Sequence, residues 1–183
     1  EKGLRYKLNF GVSYPEIKAI ARQHEPNATL AHALWAEDCR ELKILATLLQ
    51  PAETFLPEEA LRWIAEAPYP EIVELLSKHL LARLPYVEEL IATAYDRTDL
   101  PFGRATAFLL QAERLKNRLS LSTPLTEKMI TNALQTIGSE ANLFEQRAAL
   151  QVLRFYGRAD AQQAAHLLAW FHQQLTRQPA RSL

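Results

Sequence analysis

Between Glu41 and Gln50 the chain reads ELKILATLLQ, and Leu42, Leu45, Ala46 and Leu49 fall at i, i+3, i+4 and i+7. That spacing gathers the four side chains into one apolar stripe along an α-helix. Ile44 and Leu48 widen the stripe until the helix is apolar on most sides, which marks it as core. Helix punctuation recurs along the whole chain. Near the N-terminus, Ser13 and Glu16 have the spacing of a capping box, with Pro15 in the first turn, where a missing N–H costs nothing. Further starts stand at Pro57, Pro70, Asp99 with Pro101, Thr123 with Pro124, and Asn142 with Glu145. These signals predict helices over 14–24, 28–36, 39–49, 57–66, 70–83, 86–96, 100–117, 124–137, 142–157 and 160–175. The connections between them are short, so neighbouring helices are expected to run antiparallel.

Composition agrees. Glycines number 5 in 183 residues, and leucine and alanine outweigh valine and isoleucine, a balance that favours helix over sheet. The expectation is an all-α chain forming a single domain over residues 1–183. Four of the helix starts, at Ser13, Leu56, Asp99 and Asn142, are each 43 residues apart. Repeat arrays of the HEAT and armadillo type have periods of about 40–47 residues. Stacked antiparallel HEAT-like helix pairs without a central sheet predict a right-handed α-solenoid with a concave face, with a compact bundle as the competing architecture.

Cys39 is the only cysteine, so one chain cannot build a disulfide framework or a cysteine-based zinc cluster. No apolar run reaches the roughly 20 residues of a membrane span, and a soluble cytoplasmic monomer is expected. Net charge is +0, yet residues 1–96 hold 10 Lys/Arg against 15 Asp/Glu, while residues 97–183 hold 11 against 6. The second half is the better candidate for a surface that faces phosphates.

Other chemistry is thin. Glycine-rich phosphate loops, a Gly-x-Ser-x-Gly elbow and a His-Glu-x-x-His motif are all missing, which removes the usual parts of nucleotide hydrolysis, esterase chemistry and zinc proteolysis. His166 and His172 are six apart and fall on different helix faces, so no metal site is indicated. Trp35, Trp63 and Trp170 read as core or groove-lining aromatics.

Four segments carry a resemblance. NFGVSYPEIKAIAR (Asn9–Arg22), LAHALWAEDCRELKILATLL (Leu30–Leu49), GRATAFLL (Gly103–Leu110) and RAALQVLRFYGRAD (Arg147–Asp160) together resemble the bacterial DNA alkylation repair enzymes, the AlkD-like glycosylases built from HEAT-like repeats. The resemblance implies a solenoid whose concave basic face holds duplex DNA and which excises bases alkylated at N3 or N7, without a cofactor. An alkylated purine of this kind is cationic and already a good leaving group, so a placed carboxylate that stabilises the developing oxocarbenium sugar is the main catalytic requirement. Aromatic side chains cradle the cationic nucleotide, and an arginine holds the phosphate near the lesion.

Carried over residue by residue, the match is partial. The family's Trp-Asp-x-x-Asp segment falls on PYPEIVEL (Pro68–Leu75). Aligning the acids puts Glu71 and Glu74 on the two aspartates, with Glu74 in the catalytic place, Pro70 on the tryptophan and Tyr69 beside it. Aligning Tyr69 with the tryptophan puts Val73 on the catalytic aspartate instead; the first register preserves the acid spacing. The phosphate-holding arginine corresponds to Arg104, and the second pocket tryptophan to Gln151. Arg147, Arg154 and Arg158 complete the expected DNA-binding set. A non-catalytic solenoid that binds a protein or a structured nucleic acid is the alternative.

Overall fold

The computed structural model describes residues 6–119, 121–159 and 161–177, with side chains described as far as Gln173. Among these residues there are ten α-helices: α1 (Tyr14–Ala21), α2 (Ala28–Ala36), α3 (Arg40–Leu49), α4 (Pro57–Glu66), α5 (Pro70–His79), α6 (Val87–Asp96), α7 (Gly103–Lys116), α8 (Thr123–Ile137), α9 (Leu143–Ala159) and α10 (Ala161–Arg177). Single 3-10 turns follow α3 at Ala52–Thr54 and α5 at Leu81–Arg83. No strand occurs among the described residues, apart from one isolated parallel bridge between Leu8 and Cys39. The expected start of the last helix at Asp160 lies outside the described residues.

Every expected helix is present, and the ends differ for physical reasons. The first helix stops at Ala21 rather than residue 24, and its capping residue Arg22 still donates its N–H to the carbonyls of Ile20 and Lys18. The seventh starts at Gly103 rather than residue 100, because the carboxylate of Asp99 is taken by Arg97 at 2.6 Å instead of capping a helix. The caps at Ser13 and Asn142 work as the sequence suggests, whereas α8 starts one residue early, with Ser122 rather than Thr123 at its N-cap. Asn142 Oδ1 accepts from Glu145 N–H at 2.9 Å, and the Glu16 carboxylate accepts from both the N–H and the hydroxyl of Ser13, at 2.9 and 2.6 Å.

The odd-numbered helices α1, α3, α5, α7 and α9 pack successively against one another, and the even-numbered helices form a second layer beside them. Equivalent contacts recur about 31 residues apart along the first part of the chain. Examples are Phe10 to Glu41, Trp35 to Glu66, Arg40 to Glu71 and Tyr86 to Phe55, each with a separation of 31. This corrects the 43-residue period. Ser13 precedes α1, Leu56 precedes α4, Asp99 precedes α7 and Asn142 precedes α9, so that spacing mixes the two layers and is not a structural repeat.

The core runs between the layers. Trp35 of α2 and Trp63 of α4 stack face to face, 4.2 Å apart and within 2° of parallel, with Phe55 edge-on to Trp63. Lys43 is buried because it has two partners: its ammonium donates to the Trp35 carbonyl at 2.6 Å, in the last turn of α2, and lies 4.8 Å over the Trp35 ring. In α3 the most buried positions are Glu41, Lys43, Ile44, Ala46, Thr47 and Leu49, whereas Leu42, Leu45 and Leu48 are half-buried. The apolar stripe alone therefore misses the polar side chains that α3 buries.

Candidate nucleic-acid interface

On the odd layer, α5, α7 and α9 together form a cleft of about 260 Å³ lined by Glu74, Leu75, Lys78, Leu109, Glu113, Lys116 and Gln151. Helical spacing explains the set. Glu74 and Lys78 are one turn apart on α5, Leu109, Glu113 and Lys116 share a face of α7, and Gln151 reaches in from α9. The two residues expected at the catalytic and base-cradling positions, Glu74 and Gln151, thus line one cavity although 77 residues separate them.

Glu74 has no hydrogen bond or ion pair among the described residues. The walls of the cleft desolvate its carboxyl and Glu71 adds like-charge repulsion; together these push its pKa above the ordinary 4.5, against a smaller downward pull from Arg147. Glu71 is committed elsewhere. It accepts two hydrogen bonds from Arg40, from Nε at 2.8 Å and Nη2 at 2.6 Å, and so ties α5 to α3. Tyr69 stands at the N-cap of α5, half-buried and edge-on to Tyr6 at 4.9 Å. Burial beside Glu71 raises the pKa of the Tyr6 phenol, so it stays neutral.

Arg147, Gln151, Arg154 and Arg158 lie at i, i+4, i+7 and i+11 on α9 and are all exposed, while Ala148, Ala149, Val152 and Leu153 bury the opposite face. The stripe presents three cations, Arg147 on one side of the cleft residue Gln151 and Arg154 and Arg158 on the other. Arg104 points elsewhere: its guanidinium lies 4.9 Å over the Tyr95 ring and 3.6 Å from the Glu145 carboxylate. It therefore sits between α6 and α9, apart from the residues lining the cleft.

Lys78 and Lys116, the cations of the cleft, escaped sequence reasoning. Lys78 lies in the acidic half of the chain, where a count over 96 residues conceals it, and only the folded layer sets it beside Lys116. Leu109 and Glu113 escaped for the same reason. Trp35 and Trp63 are in the other layer, and Trp170 of α10 lines a separate cavity with Thr131, Leu134 and Phe171. Among the described residues no three His, Cys, Asp or Glu side chains are grouped to hold a metal ion, and no helix is long and apolar enough to cross a membrane.

Comparisons with known proteins bear on this arrangement. Among solved structures, one from a new family of proteins related to the HEAT-like repeat DNA glycosylases, with affinity for branched DNA structures, superposes with a TM-score of 0.75 at 18% identity. The match covers 82% of this chain but 64% of the other, so this chain spans under two thirds of that protein's length. At this identity the likeness speaks for the fold: two layers of stacked HEAT-like helices. A search of the curated proteins finds no match. The family model described as DNA alkylation repair enzyme matches residues 7–181, nearly the whole chain, which therefore belongs to the DNA alkylation repair enzyme family.

Proposed function

We propose that this chain acts as a cytoplasmic monomer that binds alkylated duplex DNA along the face formed by α5, α7 and α9, with Glu74 as the catalytic carboxylate. The observation that carries this reading is the meeting of Glu74 and Gln151 in one cleft bordered by Lys78 and Lys116. The lysines, together with Arg147, Arg154 and Arg158, supply contacts to backbone phosphates. Arg104 steadies the N-terminal turn of α9 through Glu145 and reaches the strand from its exposed side. Tyr69 supplies an aromatic ring at the N-terminus of α5, backed edge-on by Tyr6.

Excision follows from the charges. As the C1′–N bond of an N3- or N7-alkylated purine breaks, its electron pair leaves with the base, which becomes neutral, and positive charge grows on the sugar. A carboxylate beside C1′ stabilises that charge, and water then adds to C1′ and releases a proton. A cationic base near Glu74 also favours the ionised carboxyl that the cleft by itself disfavours, so substrate binding and activation of the acid reinforce each other.

A second reading has its own support. Trp35 and Trp63 lie in the other layer, and the resemblance sets Gln151 against the family's second pocket tryptophan. Without that flat ring a cationic base loses a contact of about 0.5–2 kcal/mol. Such a chain binds structured DNA without excising a base, in keeping with the affinity of its structural relative for branched DNA. Base release from duplex containing 7-methylguanine separates the two: excision above the spontaneous rate supports the first, and tight junction binding with no release supports the second.

A further inference from the structure

A second cavity, of about 450 Å³, adjoins the Glu74 cleft and shares Lys78, Glu113 and Lys116 with it. Its other lining residues include His79, Arg83 and Asn117, over an apolar floor that includes Leu48, Ala82 and Leu119. Three of its side chains are cations. Glu113 is their one acidic counterpart there, and it is already engaged by Lys116 at 3.2 Å and by the Asn117 amide at 3.4 Å. Lys78 and Arg83 have no carboxylate within ion-pair distance among the described residues.

His79 is the polar centre of this cavity. Its Nε2 meets the Tyr14 hydroxyl at 2.6 Å, and the two rings are 5.8 Å apart and inclined by 29°. With Tyr14 donating, Nε2 is the acceptor and the neutral ring carries its proton on Nδ1, a donor. Burial, reinforced by Lys78, Lys18, Arg83 and Lys116, lowers its pKa to about 4. A neutral imidazole kept in the midst of four cations marks a place where positive potential is concentrated.

We propose that this cavity is a phosphate subsite, holding one backbone phosphate of a nucleic-acid strand between Lys78, Arg83 and Lys116, with His79 Nδ1–H donating to it. Sequence reasoning puts the phosphate-facing charge in the second half of the chain; here Lys18, Lys78 and Arg83 come from the acidic half and Lys116 from the other. Because the cavity shares Lys78, Glu113 and Lys116 with the Glu74 cleft, the phosphate it takes belongs to the strand whose nucleotide faces Glu74. That the phosphate belongs to a nucleic-acid strand, and to this one, rests on the DNA-binding reading; the anion site stands on its own geometry.

The test has two arms. In the first, inorganic phosphate is titrated into the folded protein while the His79 imidazole is followed by NMR. A bound anion favours the charged ring, so the His79 signals shift and its pKa rises from about 4, and both effects vanish in Lys78→Gln with Lys116→Gln. No movement of His79 at millimolar phosphate overturns the subsite.

In the second arm, duplex binding is measured against salt for parent, the double variant and Lys128→Gln, which removes a cation from α8 in the other layer. The double variant is expected to bind more weakly, with a salt slope smaller by about 1, while Lys128→Gln matches the parent. Oligonucleotides with and without a 5′-phosphate distinguish an internal phosphate, which gives equal binding, from a terminal one. Duplex binding unchanged by the double replacement rejects the subsite and leaves the DNA reading standing. Phosphate that moves His79 in a protein that ignores duplex DNA keeps the subsite and rejects the DNA reading.

Discussion

Arg40 and Glu71 hold each other through two hydrogen bonds of 2.8 and 2.6 Å, and Arg40 also donates to the Val12 carbonyl at 3.1 Å. Of the acid pair Glu71 and Glu74, the first is thereby spent on joining α3 to α5 and the second remains open to the cleft. Replacing Arg40 by alanine should cost about 1–3 kcal/mol, the range of hydrogen bonds to charged groups, reduced by the partial exposure of Glu71. Urea denaturation measures it. A loss under 0.5 kcal/mol, roughly that of an exposed pair, would remove the structural role assigned to Glu71.

Glu74 should leave a mark on stability as well as on chemistry. Desolvation raises its folded-state pKa, so between the ordinary carboxyl value of 4.5 and that higher value the folded state holds a proton that the unfolded state has lost. Unfolding releases that proton, and stability falls as pH rises through this window. Glu74→Gln removes the effect. Urea midpoints should show the variant gaining on the parent from pH 4 to pH 7; a variant that loses ground over the same range would mean that the carboxylate is favoured in the fold.

Gly103 opens α7 beside the last turn of α6. A Cβ there would sit 2.4 Å from the Ala94 carbonyl oxygen and 3.0 Å from the Leu100 Cβ, contacts that backbone cannot yield cheaply. Gly103→Ala is expected to destabilise by about 1–3 kcal/mol despite alanine's better helix propensity. It should also disturb the neighbouring Arg104 and its contacts with Tyr95 and Glu145. Thermal unfolding of the variant, with an unchanged or higher midpoint as the contrary result, decides the matter.

The helices were legible because their starts are local chemistry. Ser13 with Glu16, Pro57, Pro70 and Asn142 each act within four residues, and each opens a helix where expected. The repeat was not legible in the same way. A 43-residue spacing of caps looks periodic, but the contacts that define the repeat lie 31 apart and involve side chains such as Arg40 and Glu71 that no cap reveals.

The site divides along similar lines. Glu74 and Gln151 were reached through resemblance and share a cleft, whereas Lys78, Lys116 and His79 belong to no motif and are joined only by the stacking of α5 on α7. Charge counted by halves of the chain averages over both layers, so it located the α9 stripe and overlooked the cations of α5. Arg104 shows the opposite limit: its place in sequence is clear, but Tyr95 and Glu145 determine where its guanidinium lies.

The most direct measurement is single-turnover release of base from duplex DNA carrying 7-methylguanine, by the parent and by Glu74→Gln, with both shown to be equally folded by circular dichroism. Removing one preorganised charge commonly costs about 10²–10³ in rate, so the parent should exceed the spontaneous rate and the variant should lose on the order of 10²-fold or more. Equal release by the two proteins, or release by neither, would contradict the assignment of Glu74 as the catalytic carboxylate.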